Sequence, residues 1–98
     1  MYYVYVLLCK DRKFYIGFTG DLNNRFEKHR LGEVISTKPR RPVELIFYEA
    51  YRNKYDAIQR EKYLKTSKGK QTLRTMLRED FAIDKKSAEN LTDTSTRS

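Results

Sequence analysis

Cysteine is almost missing from this chain: Cys9 stands alone among 98 residues. A single cysteine closes no intramolecular disulfide and builds no multi-cysteine zinc site. A reducing, cytoplasmic setting without a disulfide partner is therefore the expectation. Long apolar runs are missing as well. No segment approaches the roughly 20 apolar residues that a spanning helix needs, so no membrane association is expected. The N-terminus, Met1 to Leu8, has no leading positive charge and reads as a buried strand, not a signal peptide. No internal repeat is visible. The length allows one domain with one modest core. Nothing in the sequence decides the oligomeric state, and a monomer is the simplest expectation.

Charge is plentiful. Charged residues make up 35% of the chain, hydrophobic residues 39%, and the net charge is +8. From Ala82 onward three basic residues (Lys85, Lys86, Arg97) cancel three acidic ones (Asp84, Glu89, Asp93). The whole excess therefore lies in residues 1–81. Residues 82–98 are rich in Ser, Thr, Asp and Lys, with Leu91 the one large apolar group after Ile83. They are expected to form a disordered polar tail. A basic folded unit of residues 1–81 suits a polyanionic partner, with nucleic acid first. Charge alone weighs evenly against the ordinary case of a small basic protein that binds no nucleic acid specifically.

Tyr2 to Leu8 is β-branched, aromatic and aliphatic throughout, which predicts a strand with both faces covered or half covered. Tyr3, Tyr5 and Leu7 share one face. Cys9 to Lys13 is polar and reads as a hairpin loop, followed by a second strand, Phe14 to Phe18. Tyr15 and Gly17 then share a face with Tyr5. A glycine inside a strand marks close approach of another group. Asp21 predicts the N-cap of a helix from about Leu22 to Leu31, with Gly32 as its stop. Leu22 and Phe26 are expected to face the sheet, which puts Arg25 and His29, four residues apart, at the margin of the buried face. Glu33 to Pro42 reads as a loop, because its prolines disfavour a helix. Val43 to Ala50 is the third strand, with Val43, Leu45 and Phe47 on one face. A helix capped by Asn53 or Asp56 runs to about Thr66. It is expected to set Glu61 among the core-facing residues Ala57, Ile58 and Leu64. Ser67-Lys68-Gly69 is expected to break it, ahead of a last helix from about Lys70 to Asp80. The order β-β-α-β-α-α makes the fold class α+β.

Five residues form a candidate site: Tyr5, Tyr15, Arg25, His29 and Glu61. Phosphodiester hydrolysis needs a group to orient or deprotonate water and groups to neutralise the developing charge. Arg25 can clamp a phosphate through its planar fork. Glu61 is a hard oxygen donor, and one carboxylate with substrate oxygens and waters can hold Mg²⁺. A tyrosine of ordinary pKa is a poor base, but cations beside it favour the phenolate. His29 can share proton transfer near neutral pH. Lys38, Arg40 and Arg41 in the loop, and Lys62, Lys65, Lys68 and Lys70 along the last helices, are candidate phosphate contacts. Each also has a plainer role. Strand tyrosines are usually core, Arg25 and His29 can be a solvated helix edge, and the lysines a solvated face. One Arg25–Glu61 ion pair would account for two of the five without chemistry.

Taken together, Tyr3-Val4-Tyr5, Tyr15-Ile16-Gly17, Thr19, Leu22, Arg25, His29 and the later Glu61 resemble the GIY-YIG nuclease superfamily, in its small stand-alone bacterial form. The resemblance covers about residues 1–80. It implies a three-stranded antiparallel sheet flanked by helices, and an endonuclease that hydrolyses DNA with one divalent metal ion, Mg²⁺ or Mn²⁺. It implies that Tyr5 or Tyr15 acts on water, that Arg25 stabilises the phosphate and that Glu61 binds the metal; His29 matches a histidine of several members. One departure stands out: Tyr3 occupies the glycine position of the first motif. The chain has no room for a separate DNA-binding domain, so the implied cutting is structure-guided or weakly sequence-selective, in DNA repair or recombination. RNA is a possible substrate. A non-catalytic nucleic-acid-binding module with the same fold is the alternative.

Overall fold

The computed structural model describes residues 1–81, so the expected tail lies outside the described residues. Strands β1 (Tyr2–Leu8), β2 (Phe14–Thr19) and β3 (Glu44–Tyr51) form one antiparallel sheet in the order β2-β1-β3. The central position of β1 explains its continuous apolar run, since Val4 to Leu8 are all buried. Helices α1 (Leu22–Arg30), α2 (Lys54–Leu64) and α3 (Ser67–Met76) complete the fold, which is α+β as expected.

Helices α2 and α3 cover one face of the sheet. Val4, Val6 and Ile16 from that face meet Ala57 and Leu64 of α2 and Leu73 of α3 in a single buried cluster. The pairing of β1 with β3 slips by one residue, so that Val6 faces Phe47 while Leu7 faces Leu45. Ile46 is the extra residue. The bulge breaks the simple alternation expected for β3: Ile46 and Phe47 both pack against the core, and Leu45 pairs with Leu7 instead of sharing a face with Phe47. Glu49 of β3 accepts hydrogen bonds from Arg60 of α2 at 3.0 and 3.2 Å and from the Tyr51 hydroxyl at 2.6 Å, which fastens the helix to the sheet edge.

Two local expectations change. The short segment Lys38–Arg40 is a single 3₁₀ turn. Pro39 is tolerated there because a first-turn amide has no intrahelical partner to lose. Ser67-Lys68-Gly69 does not break a helix but begins α3. The Thr66 hydroxyl caps it by accepting from the Gly69 amide at 3.0 Å. Gly69 serves close approach: a Cβ there would lie 2.0 Å from the Tyr63 carbonyl oxygen and 2.6 Å from the Leu64 Cα. Both are backbone atoms and cannot swing aside. Gly69→Ala is therefore expected to destabilise the protein by about 3 kcal/mol, as overpacking of a fixed contact does. Urea denaturation measures this, and an unchanged midpoint would refute the contact.

Candidate active site

The opposite face of the sheet carries Tyr5 and Tyr15. Asp21 caps α1 as expected, accepting from the Asn24 amide at 3.1 Å, and Thr19 braces the turn through the Asp21 amide at 3.1 Å. This turn sends α1 back over Tyr5 and Tyr15. His29 is the residue of α1 that is fully buried, at 0% exposure. The expected margin position is thus corrected: Leu22 and Phe26 are only half-buried, and the histidine fills the deepest place. It can do so because both ring nitrogens are satisfied. Nε2 lies 2.8 Å from the Tyr5 hydroxyl and Nδ1 lies 2.8 Å from Thr37 Oγ1. The Thr37 hydroxyl donates onward to the Val34 carbonyl at 3.5 Å. With that donor spent, Thr37 accepts from Nδ1–H, and Nε2 accepts the Tyr5 proton.

Arg25 completes the cluster. Its guanidinium lies close enough to the hydroxyls of Tyr5 and Tyr15 that both raise its pKa, Tyr5 most of all. The three rings gather tightly. Tyr15 and His29 centroids are 5.0 Å apart, Tyr5 and His29 5.6 Å, and Tyr5 and Tyr15 6.3 Å. Gly17 sits beneath them as the β2 partner of Tyr5. A Cβ on Gly17 would fall 2.3 Å from the Tyr5 ring and from its hydroxyl oxygen. The close neighbour that this glycine accommodates is the phenol itself.

Glu61 of α2 approaches from another element. It is half-buried, its charge acts on the Tyr5 phenol, and its carboxylate pairs with Lys65 at 3.0 Å. Arg25 and Glu61 form no ion pair, so the plain structural account of these two residues fails. Arg25 goes to the tyrosines and Glu61 to an exposed lysine one turn away.

Burial reverses one electrostatic expectation. The Tyr5 pKa is pushed up to about 12, chiefly because burial disfavours the phenolate; the Arg25 bond acts in the expected downward direction but is outweighed. His29 is pushed down to about 4, first by burial and then by the Arg25 charge. At neutral pH the site therefore holds a protonated phenol and a neutral imidazole.

Residues 1–74 match the GIY-YIG catalytic domain. The chain belongs to the GIY-YIG family. It is 36% identical over 86 residues to a UPF0213 protein of Limosilactobacillus reuteri, covering 85% of this chain and 88% of that one. It is 46% identical over 65 residues to the UPF0213 protein YazA of Bacillus subtilis, covering 65% and 66%. The solution NMR structure of the UPF0213 protein BH0048 from Bacillus halodurans is similar at 34% identity, with a TM-score of 0.51 over 78% of this chain and 85% of that one.

In this GIY-YIG domain Glu61 is the candidate metal ligand. Among the described residues no group of three His, Cys, Asp or Glu side chains could hold an ion by itself. The donor set fits a hard cation such as Mg²⁺, which takes one or two carboxylates and fills its remaining positions with water and substrate oxygens. Lys65, the ion-pair partner of Glu61, is 56% exposed and can swing away. Also among the described residues, no helix is long and apolar enough to cross a membrane.

The basic residues divide. Arg40 is held by Asp11 at 3.0 Å, and Arg41 donates to the Lys38 and Arg30 carbonyls at 3.3 Å each. Arg41 also fills the space over Gly32, which ends α1 with a φ of 81°. These two arginines brace the loop behind the site. Lys38, Lys62 and Lys68 are exposed, and Lys65 faces Glu61. Sequence reasoning missed Thr37, which is buried at 0% exposure and fixes the histidine tautomer. A threonine between Ser36 and Lys38 in a loop carries no signal of that role.

The histidine makes stability depend on pH. The unfolded chain takes up its proton near pH 6.5 and the folded chain near pH 4, so the folded state loses relative stability as pH falls through this window. The loss should reach about 3 kcal/mol by pH 4. His29 is the one histidine in the chain, so the slope between pH 6.5 and 5 belongs to it. Urea midpoints across that range should fall in the wild type and stay flat in His29→Gln; equal slopes would contradict the assignment.

Proposed function

We propose that this protein is a metal-dependent endonuclease that hydrolyses phosphodiester bonds in DNA, guided by structure or weakly by sequence. The observation that carries this reading is the meeting of Arg25 with Tyr5 and Tyr15 on a +8 chain, with the Glu61 charge acting on the same Tyr5 phenol. Membership in the GIY-YIG family supports it.

Arg25 binds the reacting phosphate. Its fork is already charged and already aimed by two phenols, so little reorganisation accompanies the build-up of negative charge. Tyr5 anchors that fork from below and is itself held by its hydrogen bond to His29. Tyr15 is the less buried of the two tyrosines, so its hydroxyl orients the attacking water. Burial is the main cause of the low His29 pKa and the Arg25 charge the second; a phosphate on Arg25 offsets only the second. Glu61 would hold the divalent ion, which when bound supplies positive charge that favours ionisation of water and neutralises the phosphate. Lys38, Lys62 and Lys68 then steer the polyanion.

Full-length protein should nick supercoiled or branched DNA with Mg²⁺ or Mn²⁺, and EDTA should stop it. Glu61→Gln should lose the metal-dependent rate while still binding DNA. Equal rates for Glu61→Gln and the wild type would remove Glu61 from the site. Salt-sensitive binding without cleavage of any substrate would leave a binding module.

A further inference from the structure

The sheet face that carries the site continues onto β3. Tyr48 is the cross-strand partner of Tyr5. It stays 51% exposed, whereas Tyr5 is 1% exposed. Tyr3 meets it edge-on, with centroids 6.0 Å apart and planes at 63°. These two rings and the turn Gly20, Asp21, Leu22 and Asn23 line an open cavity of ≈310 Å³. The turn is the one that leads into Arg25.

The fold does not use Tyr48. It lies on the face opposite the α2–α3 core and is no part of the packing around that core. Its hydroxyl has no partner among the described residues. The backbone of a sheet nevertheless holds the ring next to the phenol that anchors Arg25, since directly opposed residues have Cβ atoms only about 5 Å apart. A nucleotide adjoining a phosphate on Arg25 is therefore within reach of the ring. Cations alone attract paired and unpaired strands through the same phosphates. An exposed aromatic ring distinguishes them, because a base inside a duplex already stacks on its neighbours, while an unpaired base has a free face.

We infer that Tyr48, braced by Tyr3, is a stacking site for one unpaired base beside the phosphate that Arg25 holds, so that the preferred substrate is DNA with a single-stranded or gapped segment there. The inference rests on the reading of the site as a nuclease centre, but its test does not depend on cutting.

Full-length Glu61→Gln protein would be titrated with single-stranded and gapped oligonucleotides carrying 2-aminopurine at successive positions. The fluorescence should be quenched by protein at one position. Tyr48→Ala should abolish that quench and weaken single-strand binding by roughly 10-fold, with duplex binding changed less than about 2-fold. Tyr48→Phe should retain both. Tyr48 is half-exposed, so neither variant should alter the melting temperature, which is checked directly. No position-specific quench, a quench that survives Tyr48→Ala, or equal weakening on duplex and single strand would each overturn the stacking site. Wild-type protein that cuts DNA without such a quench defeats this inference alone. Protein that neither cuts nor binds DNA defeats the nuclease reading and the inference with it.

Discussion

Arg25→Lys is expected to lower the cleavage rate by about 10²- to 10³-fold, the usual cost of losing one preorganised donor to a developing oxyanion. The substitution keeps the charge and removes the planar fork. A lysine presents one ammonium and cannot bond both phenols and two phosphate oxygens at once. Tyr5 and Tyr15 then lose the group that joins them. Single-turnover rates at saturating protein measure the loss, and binding should weaken far less than the rate. Arg25→Gln makes a further distinction. It removes the charge that helps hold His29 near pKa 4, so the histidine should titrate closer to its ordinary 6.5 in an NMR titration. Burial is the larger cause, so the shift should be partial. A full rate in Arg25→Lys, or an unmoved histidine in Arg25→Gln, would break the assigned geometry.

Gly17→Ala is expected to slow cleavage by roughly 100-fold, although Gly17 touches no substrate. Its added methyl would stand 2.3 Å from the Tyr5 ring and hydroxyl. Tyr5 is 1% exposed and bonded to His29, with Arg25 beside it, so it cannot yield without dragging the site along. A displacement of about 1 Å suffices for a loss of that size. The structural signature is separate from the rate: the His29 pKa should move as the Tyr5–His29 bond lengthens. Gly20→Ala is the control, because nothing lies within 4 Å of a Cβ at that position. It should cut at nearly the wild-type rate. Comparable losses in both variants would point to the turn backbone instead of the phenol.

The element order was legible because periodicity and caps are local. Tyr2 to Leu8 read as a strand, Asp21 as a helix cap and Asn53 or Asp56 as another; Asp21 and Asn53 form the caps. The five candidate residues were legible because their types and order carry a chemistry even before their positions are known. What depends on neighbours distant in sequence was not legible. Gly32 ends α1 with a positive φ, whereas Gly69 sits in the first turn of α3, where the backbone of the preceding helix passes too close for a side chain.

The sequence by itself therefore determined the fold class, the basic character of residues 1–81, the family and the list of candidate site residues. Tertiary structure alone decided how those residues are partnered. It buried His29 between Tyr5 and Thr37, gave Arg25 to the tyrosines rather than to Glu61, and raised the Tyr5 pKa where nearby positive charge alone would have lowered it. The physical reason is that local preference sets which face a side chain takes. Desolvation and hydrogen-bond satisfaction are set only when sheet, helix and loop close on the same few ångströms.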